Sequence, residues 1–162
     1  MRIQSSIQTT FDEEKVESIL KSANCNQLPV DLLSVANKLS IRLMSFLDDT
    51  FCLIEKKIIF INLNTIDIPE NRFALAHEMA HIIWDVHSQL TSSTIEIEHD
   101  EYMTNKRAAD LLIPISSLVS FVERARPEEY KVAVEMTADY YATPRWVADM
   151  KLASFYRRRW YG

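Results

Sequence analysis

The sequence predicts an α+β fold, in which a small antiparallel β-sheet packs on a mostly helical body. Apolar residues recur at helical spacing over most of the chain, in segments that prolines help to separate. Residues 41–63 differ, because they are rich in β-branched and aromatic residues and contain a charged, turn-like break. The chain has 162 residues, of which 48% are hydrophobic and 25% charged, as is typical of globular proteins. We therefore expect a single domain over residues 1–162.

Two helices are predicted before the sheet. The first is Phe11–Ser22, in which Val16, Ile19 and Leu20 fall on one face. The second is Pro29–Leu39, because its apolar residues cluster at helical spacing after the proline.

Three strands are predicted next. Ile41–Phe46 is rich in β-forming residues and alternates in polarity. Phe51–Ile54 and Ile58–Leu63 flank the charged triplet 55–57, which indicates a hairpin turn. The run 58–61 is apolar on both faces, as in a buried strand.

The rest of the chain is predicted to be helical. Asn71–Val86 contains neither Gly nor Pro, and Asn71 is a suitable N-cap residue two positions after Pro69. Its apolar stripe is Leu75, Met79, Ile82, Ile83 and Val86. The neighbouring face is Phe73, His77, Ala80 and His81. The later helices are His99–Leu112, Pro114–Glu123, Glu128–Tyr141 and Pro144 to about Arg158, with Thr143 as the cap of the last.

Composition excludes several classes of protein. A net charge of −5 argues against a mainly nucleic-acid-binding domain. Gly162 is the only glycine, so a glycine-rich phosphate loop is excluded. The N-terminal residues have no apolar signal region, and no apolar run is long enough to span a membrane. We expect a cytoplasmic protein in which Cys25 and Cys52 are reduced, with a disulfide between them as the alternative.

The strongest functional signal is the pentapeptide His77-Glu78-Met79-Ala80-His81. Two histidines four residues apart lie on one face of a helix, so that both imidazoles can reach one zinc ion. Glu78 then lies beside the metal and can take a proton from bound water. This is the pattern of zinc metalloproteases, and a buried helix with merely hydrogen-bonded histidines is the alternative.

A catalytic zinc usually has a third protein ligand and an open position. His87 is one candidate, because it stands ten residues after His77 and nearly matches the metzincin spacing. However, Trp84 occupies the position at which that pattern has Gly, and a large side chain is poorly suited to a left-handed turn.

Glu101 is the favoured third ligand. Glu101 and Asn105 are one helical turn apart and share a face. Glu101 can therefore bind zinc while Asn105 accepts a hydrogen bond from a ligand imidazole, an interaction that ligating histidines normally need. Glu98 and Asp100 stay open as alternatives, as does a merely solvated acidic patch.

The region from residue 57 to residue 114 resembles the ImmA/IrrE family of zinc metallopeptidases. It has an apolar strand ending in Asn62, a helix reading RFALAHE from Arg72, and a later helix ending AADLLIP at Pro114. The positions that match the family's later helix are Glu101, Asn105, Ala108, Ala109 and Pro114. The chain departs from the family pattern at Ala80, Thr104 and Arg107, of which Arg107 stands where an aromatic residue is common.

This resemblance implies a zincin-like metallopeptidase core of the gluzincin type. It implies the zinc ligands His77, His81 and Glu101 and the catalytic base Glu78. It also implies a protein substrate, a helix-turn-helix regulator or antitoxin-like partner of the kind associated with mobile elements and stress regulons.

Other functions and roles remain open at the level of sequence. The main alternative is a non-proteolytic, toxin-like protein that binds a regulator, and a structural zinc domain is a third hypothesis. An extended substrate is expected to pair with the strand Ile58–Asn62. The candidates for stabilising the oxyanion are His99, Tyr102, Tyr130, Tyr140 and Tyr141. The oligomeric state is left open.

Overall fold

The computed structural model describes residues 7–86 and 93–161, the last two without their side chains. It contains helices α1 (Phe11–Ser22), α2 (Leu32–Lys38), α3 (Pro69–Ile83), α4 (Thr94–Leu112), α5 (Ile115–Ala125), α6 (Tyr130–Tyr141) and α7 (Arg145–Tyr161). Strands β1 (Arg42–Ser45), β2 (Phe51–Leu53) and β3 (Ile58–Ile61) form one sheet. The α+β class is therefore confirmed. None of the described helices has both the length and the apolar character needed to cross a bilayer.

The sheet is mixed, and the prediction of an antiparallel sheet was wrong. β2 and β3 form the predicted antiparallel hairpin, whereas β1 runs parallel to β3, with Arg42 opposite Ile58. The strand order β1-β3-β2 places β3 in the centre. Both edges of β3 are therefore occupied by neighbouring strands. An extended substrate cannot pair with β3, so the expectation that it does was wrong. The doubly apolar run 58–61 fits this central position.

The two faces of the sheet differ. Ile59 and Ile61 point into the core and are at most 1% exposed, while Cys52 of β2 pairs with Ile59 and shares its face. On the opposite face, the rings of Phe51 and Phe60 stack with centroids 4.7 Å apart. The inner face packs on the helices, so β2 and β3 both contact α3.

Helix α3, which carries the two motif histidines, begins two residues earlier than predicted. Ile68 is the N-cap, without a side-chain cap, and Pro69 is the first helical residue, where its missing N–H costs nothing. Asn71 lies inside the first turn and donates from its side chain to Thr65, so the prediction of Asn71 as N-cap was wrong. The helix ends at Ile83 instead of Val86, because Asp85 adopts a left-handed conformation with φ 51°.

Two other boundaries have clear physical reasons. Helix α4 begins five residues before the predicted His99, because Ser93 and Glu96 form a capping box. Thr143 was expected to cap α7, but its hydroxyl is buried with no hydrogen-bond partner in the described part of the chain. The carbonyl of Pro144 instead accepts the first backbone hydrogen bonds of this helix, from Val147 and Ala148.

A single apolar cluster joins the sheet to the helices among the described residues. From α3 it takes Leu75, Ala76 and Met79, which are 0% exposed. The opposite side of the same helix faces α4, and these two helices share the most extensive contact between elements. This contact sets where the polar residues of α3 and α4 meet.

Candidate metal centre

Three potential ligand atoms converge where α3 meets α4. Nε2 of His77 and Nε2 of His81 lie 3.1 Å apart. The carboxylate oxygens of Glu101 lie 3.4 Å from Nε2 of His77 and 3.5 Å from Nε2 of His81. Within the described ranges, these residues form the one cluster of histidine, cysteine or acidic side chains that could hold a metal ion.

The donor set suits zinc. Zinc bonds of about 2.0–2.2 Å in tetrahedral geometry separate neighbouring ligand atoms by roughly 3.3–3.6 Å. The two imidazole nitrogens lie 3.1 Å apart, and they lie 3.4 and 3.5 Å from different oxygens of the Glu101 carboxylate, which is close to that range. Two imidazoles and one carboxylate also match the ligands of catalytic zinc sites that keep a fourth position open. Neither cysteine belongs to the cluster, and neither do Glu98 and Asp100.

Asn105 fixes the orientation of His77. Oδ1 of Asn105 lies 2.9 Å from Nδ1 of His77, so that Nδ1–H donates to the amide oxygen. This hydrogen bond leaves the lone pair of Nε2 free to face Glu101. Asn105 therefore occupies the position expected from the sequence. Nδ1 of His81, by contrast, is buried and has no such partner in the part of the chain that the structure describes.

The lowered pKa of His81 also suits a role as a metal ligand. Burial lowers the pKa of His81, and the neighbouring His77 lowers it further, while nearby carboxylates including Glu101 oppose this shift. The imidazole of His81 is consequently neutral at neutral pH and offers a lone pair. A neutral imidazole is the form that binds metal.

Glu78 faces the sheet from α3. Its carboxylate interacts with the thiol of Cys52 on β2; burial raises the pKa of that thiol and the carboxylate of Glu78 adds to the shift. Both cysteines are free, in agreement with the expectation of reduced thiols. Glu78 follows His77 directly in the chain, and its charge acts both on the imidazole of His81 and on the thiol of Cys52 in the edge strand β2. The contact with Cys52 was not predicted, because sequence alone does not reveal that β2 lies over α3.

A clamp of four side chains joins the C-terminal end of α3 to α1 and α4. The indole N–H of Trp84 donates to Asp12 over 2.7 Å, and Arg107 donates to the same carboxylate over 3.1 Å. Lys15 and Arg107 approach the indole ring at 4.8 and 5.3 Å from its centroid. The Lys15 ammonium also donates to the carbonyl of Ile83, at the end of the helix. These contacts hold α3 against the helix that carries Glu101.

A buried ionic network lies farther along α4. Lys151 of α7, 4% exposed, contacts Asp110 and donates to Glu13 over 2.7 Å. Arg158 adds two hydrogen bonds of 2.7 Å to Glu13. Burial acts to raise the pKa of Glu13, but its bonds to Arg158 and Lys151 prevail and lower it to about 2. This network ties α1 and α7 to α4, away from the metal centre.

Most of the proposed oxyanion donors lie elsewhere. Tyr130 donates to Asp149, and the hydroxyl of the buried Tyr141 is paired with Ser117. Tyr140 accepts from Arg124. Tyr102 lines a cavity of about 510 Å³ that also includes residues of α1 and α7.

Of the two remaining histidines, only His99 lies within the described residues. His99 is exposed on α4 and does not belong to the group of ligand atoms. His87, the rival third ligand, lies outside the described residues. Among the described residues, Glu101 is the third side chain that lies with the two α3 histidines. Compared with protein-family models and with curated proteins, the chain gives no match.

Proposed function

We propose that this protein is a zinc-dependent metallopeptidase that cleaves a protein partner. The observation that carries the proposal is the convergence of His77, His81 and Glu101. In addition, Asn105 accepts a hydrogen bond from Nδ1 of His77, the ring nitrogen that does not face the cluster. A site with three protein ligands and an adjacent glutamate is the arrangement of catalytic zinc centres. The zincin-like core and the kinship with ImmA/IrrE peptidases are part of this proposal.

A zinc ion in this site would acidify a water molecule in the open position and polarise the scissile carbonyl. The proton transfers and the orientation of the ligands depend on residues of the chain. The carboxylate of Glu78 takes one proton from the attacking water and delivers it to the amide nitrogen that leaves. Asn105 keeps the imidazole of His77 in the required tautomer throughout the reaction.

The substrate backbone docks along β2 in this proposal. This strand pairs with β3 on one side, and the described residues place no strand on its other side. Cys52 of β2 contacts Glu78, so a peptide added to this edge passes beside the catalytic base. An extended segment of the partner is therefore the form of substrate that suits the site.

The partner class comes from the resemblance described above. We propose a helix-turn-helix regulator or an antitoxin-like protein as the substrate, with cleavage in the cytoplasm. The motif-bearing segment Arg72–Glu78 lies on α3, and the segment Glu101–Pro114 covers the second half of α4 and the two residues after it. The two helices meet at the cluster. Their juxtaposition supports the proposal.

The test uses the variant Glu78→Gln. Glutamine cannot act as the base, and Glu78 is not one of the three clustered ligands, so the variant is expected to keep zinc and fold normally. Cleavage of the partner regulator should fall by roughly 10²–10⁴-fold while binding is retained. Mass spectrometry of the partner after incubation measures cutting, and metal analysis should find about one zinc per chain in both proteins.

The same variant separates this function from its alternative. If Glu78→Gln reproduces the biological effect of the wild type in cells, proteolysis is not the function. The protein then acts by binding the regulator, as a toxin-like partner would. His77→Ala provides the control for the metal, since full zinc content in that variant would remove the basis of the proposal.

A further inference from the structure

Phe73 and Trp146 form an aromatic surface, here called the aromatic wall, that extends from the candidate metal centre to the start of α7. Phe73 lies one helical turn before His77, and the two ring centroids are 6.0 Å apart. Trp146, in the first turn of α7, packs edge-to-face on Phe73 with centroids 4.5 Å apart. The pair therefore forms a continuous apolar surface whose inner end touches a candidate metal ligand.

The Trp146 end of the wall is exposed, while Phe73 is half-buried against the core. Trp146 is 49% exposed, whereas the next two residues of α7, Val147 and Ala148, are 0% exposed. Tryptophan is highly buried in most proteins. The side chain of Trp146 thus stands out of an ordered helix, next to the ligand cluster.

Arg72 holds the two halves of the wall together. Its guanidinium donates to the carbonyl of Ala142 over 3.2 Å and to the carbonyl of Val30 over 2.9 Å. Ala142 ends α6 in a left-handed conformation and leads directly into α7. Arg72 precedes Phe73 on α3, so this bond fixes the start of α7, and with it Trp146, against the metal helix. The aromatic surface is consequently formed before any ligand arrives.

We propose that Phe73 and Trp146 form a specificity subsite that selects a bulky apolar side chain of the substrate, preferably an aromatic one. The proposal rests on the peptidase function and names the side chain that this function would recognise. The Trp146 centroid lies at most 10.5 Å from that of His77. An extended peptide advances about 3.3 Å per residue, so the selected side chain lies within about three residues of the bond that is cut.

The chemistry of the wall favours this occupant. Aromatic rings gain affinity from edge-to-face and offset contacts with another ring, in addition to the apolar area that they bury. A polar side chain placed against Phe73 and Trp146 would lose hydrogen bonds to water without replacement. A small side chain would leave the exposed indole uncovered.

Peptide hydroxamates test the subsite without requiring cleavage. A hydroxamate chelates zinc, and its peptide carries either alanine throughout or phenylalanine at one of the three residues nearest the chelating group. Binding to zinc-loaded protein is measured by calorimetry for the wild type and for Trp146→Ala, Trp146→Phe and Phe73→Leu. Phe11→Ala is the matched control, because Phe11 is an aromatic residue that is 78% exposed and belongs to α1.

We expect the wild type to bind one phenylalanine compound at least about 10-fold more tightly than the all-alanine compound. In Trp146→Ala this ratio of affinities should fall below about threefold. Trp146→Phe should keep most of the preference for phenylalanine, and Phe73→Leu should reduce it. Phe11→Ala should leave the preference unchanged. A wild type without preference at all three positions overturns the subsite, as does a preference that survives both Trp146→Ala and Phe73→Leu. Failure of the proposed metal centre looks different, since then the all-alanine hydroxamate does not bind either.

Discussion

Replacing Glu101 with alanine removes the one clustered ligand that does not come from α3. The carboxylate of Glu101 lies 3.4 Å from Nε2 of His77 and 3.5 Å from Nε2 of His81, so it bridges both imidazoles. Zinc sites with four protein ligands bind with about 10–16 kcal/mol, which makes one ligand worth on the order of 3 kcal/mol. We therefore expect Glu101→Ala to weaken zinc binding by more than about 100-fold.

The assay is a zinc titration in competition with a chromophoric chelator at neutral pH. Glu98→Ala is the matched control, because Glu98 is an exposed acid on the same helix that does not belong to the cluster. Asn105→Ala should give an intermediate loss of about 10–100-fold, since it removes only the hydrogen bond to His77. The melting temperature of the metal-free protein should change little in Glu101→Ala, because that side chain is 36% exposed.

The outcome that refutes this reasoning involves His87. If His87→Ala strips the metal and Glu101→Ala binds zinc as the wild type does, the third ligand is His87 and the metzincin spacing applies after all. Equal losses in Glu98→Ala and Glu101→Ala would instead indicate a general effect of negative charge near the site. The expected loss of zinc affinity is thus largest for Glu101→Ala, intermediate for Asn105→Ala and smallest for Glu98→Ala, and a different order would contradict the assignment of Glu101 as the third ligand.

Three further predictions concern stability. Trp84→Phe keeps the ring but loses the hydrogen bond to Asp12, so thermal unfolding should show a loss of about 1–2 kcal/mol. Lys151→Met leaves the buried Asp110 without its cation and should lower the free energy of unfolding in urea by about 3–5 kcal/mol. The pKa of Glu13 is lowered from 4.5 to about 2, so its contribution of about 3 kcal/mol is present above pH 4.5 and is lost as the pH falls to about 2. The raised pKa of Asp110 acts with the opposite sign, and urea unfolding at pH 2–6 should show a net loss toward low pH; stability that stays flat or rises would contradict the role of Glu13.

Local signals predicted much of the fold. Both ends of α1 were predicted correctly, and there the apolar stripe coincides with a capping box formed by Thr10 and Glu13. The start of α4 was missed although Ser93 and Glu96 carry the same signal. The reason is that the first turns of α4 bury little: Ile95 is 78% exposed, so the segment lacks the apolar periodicity that marked the other helices.

The parallel pairing of β1 with β3 was beyond the reach of the sequence. The turn at residues 55–57 predicted the hairpin correctly, because a hairpin joins neighbours along the chain. Nothing local specifies that β1 runs parallel to β3, since that pairing depends on how the chain crosses from β1 to β2. The doubly apolar run 58–61 indicated a buried strand, and a central strand is the natural consequence. A central strand has no free edge, and for this reason β3 cannot receive the substrate.

The helical spacings predicted the two halves of the metal site, but their meeting depends on contacts that the motif does not contain. Residues four apart share a face, which placed His77 with His81 and Glu101 with Asn105. Which face of α4 turns toward α3 is fixed instead by side chains such as Trp84 and Arg107, which share the carboxylate of Asp12. In the sequence, Trp84 stands out only as a residue unsuited to a left-handed turn, and Arg107 only as a departure from the family pattern. The structure gives both a common role: the aromatic ring directly follows the last residue of α3, and the cation lies on α4, 5.3 Å from the ring centroid and two residues beyond the amide that orients His77.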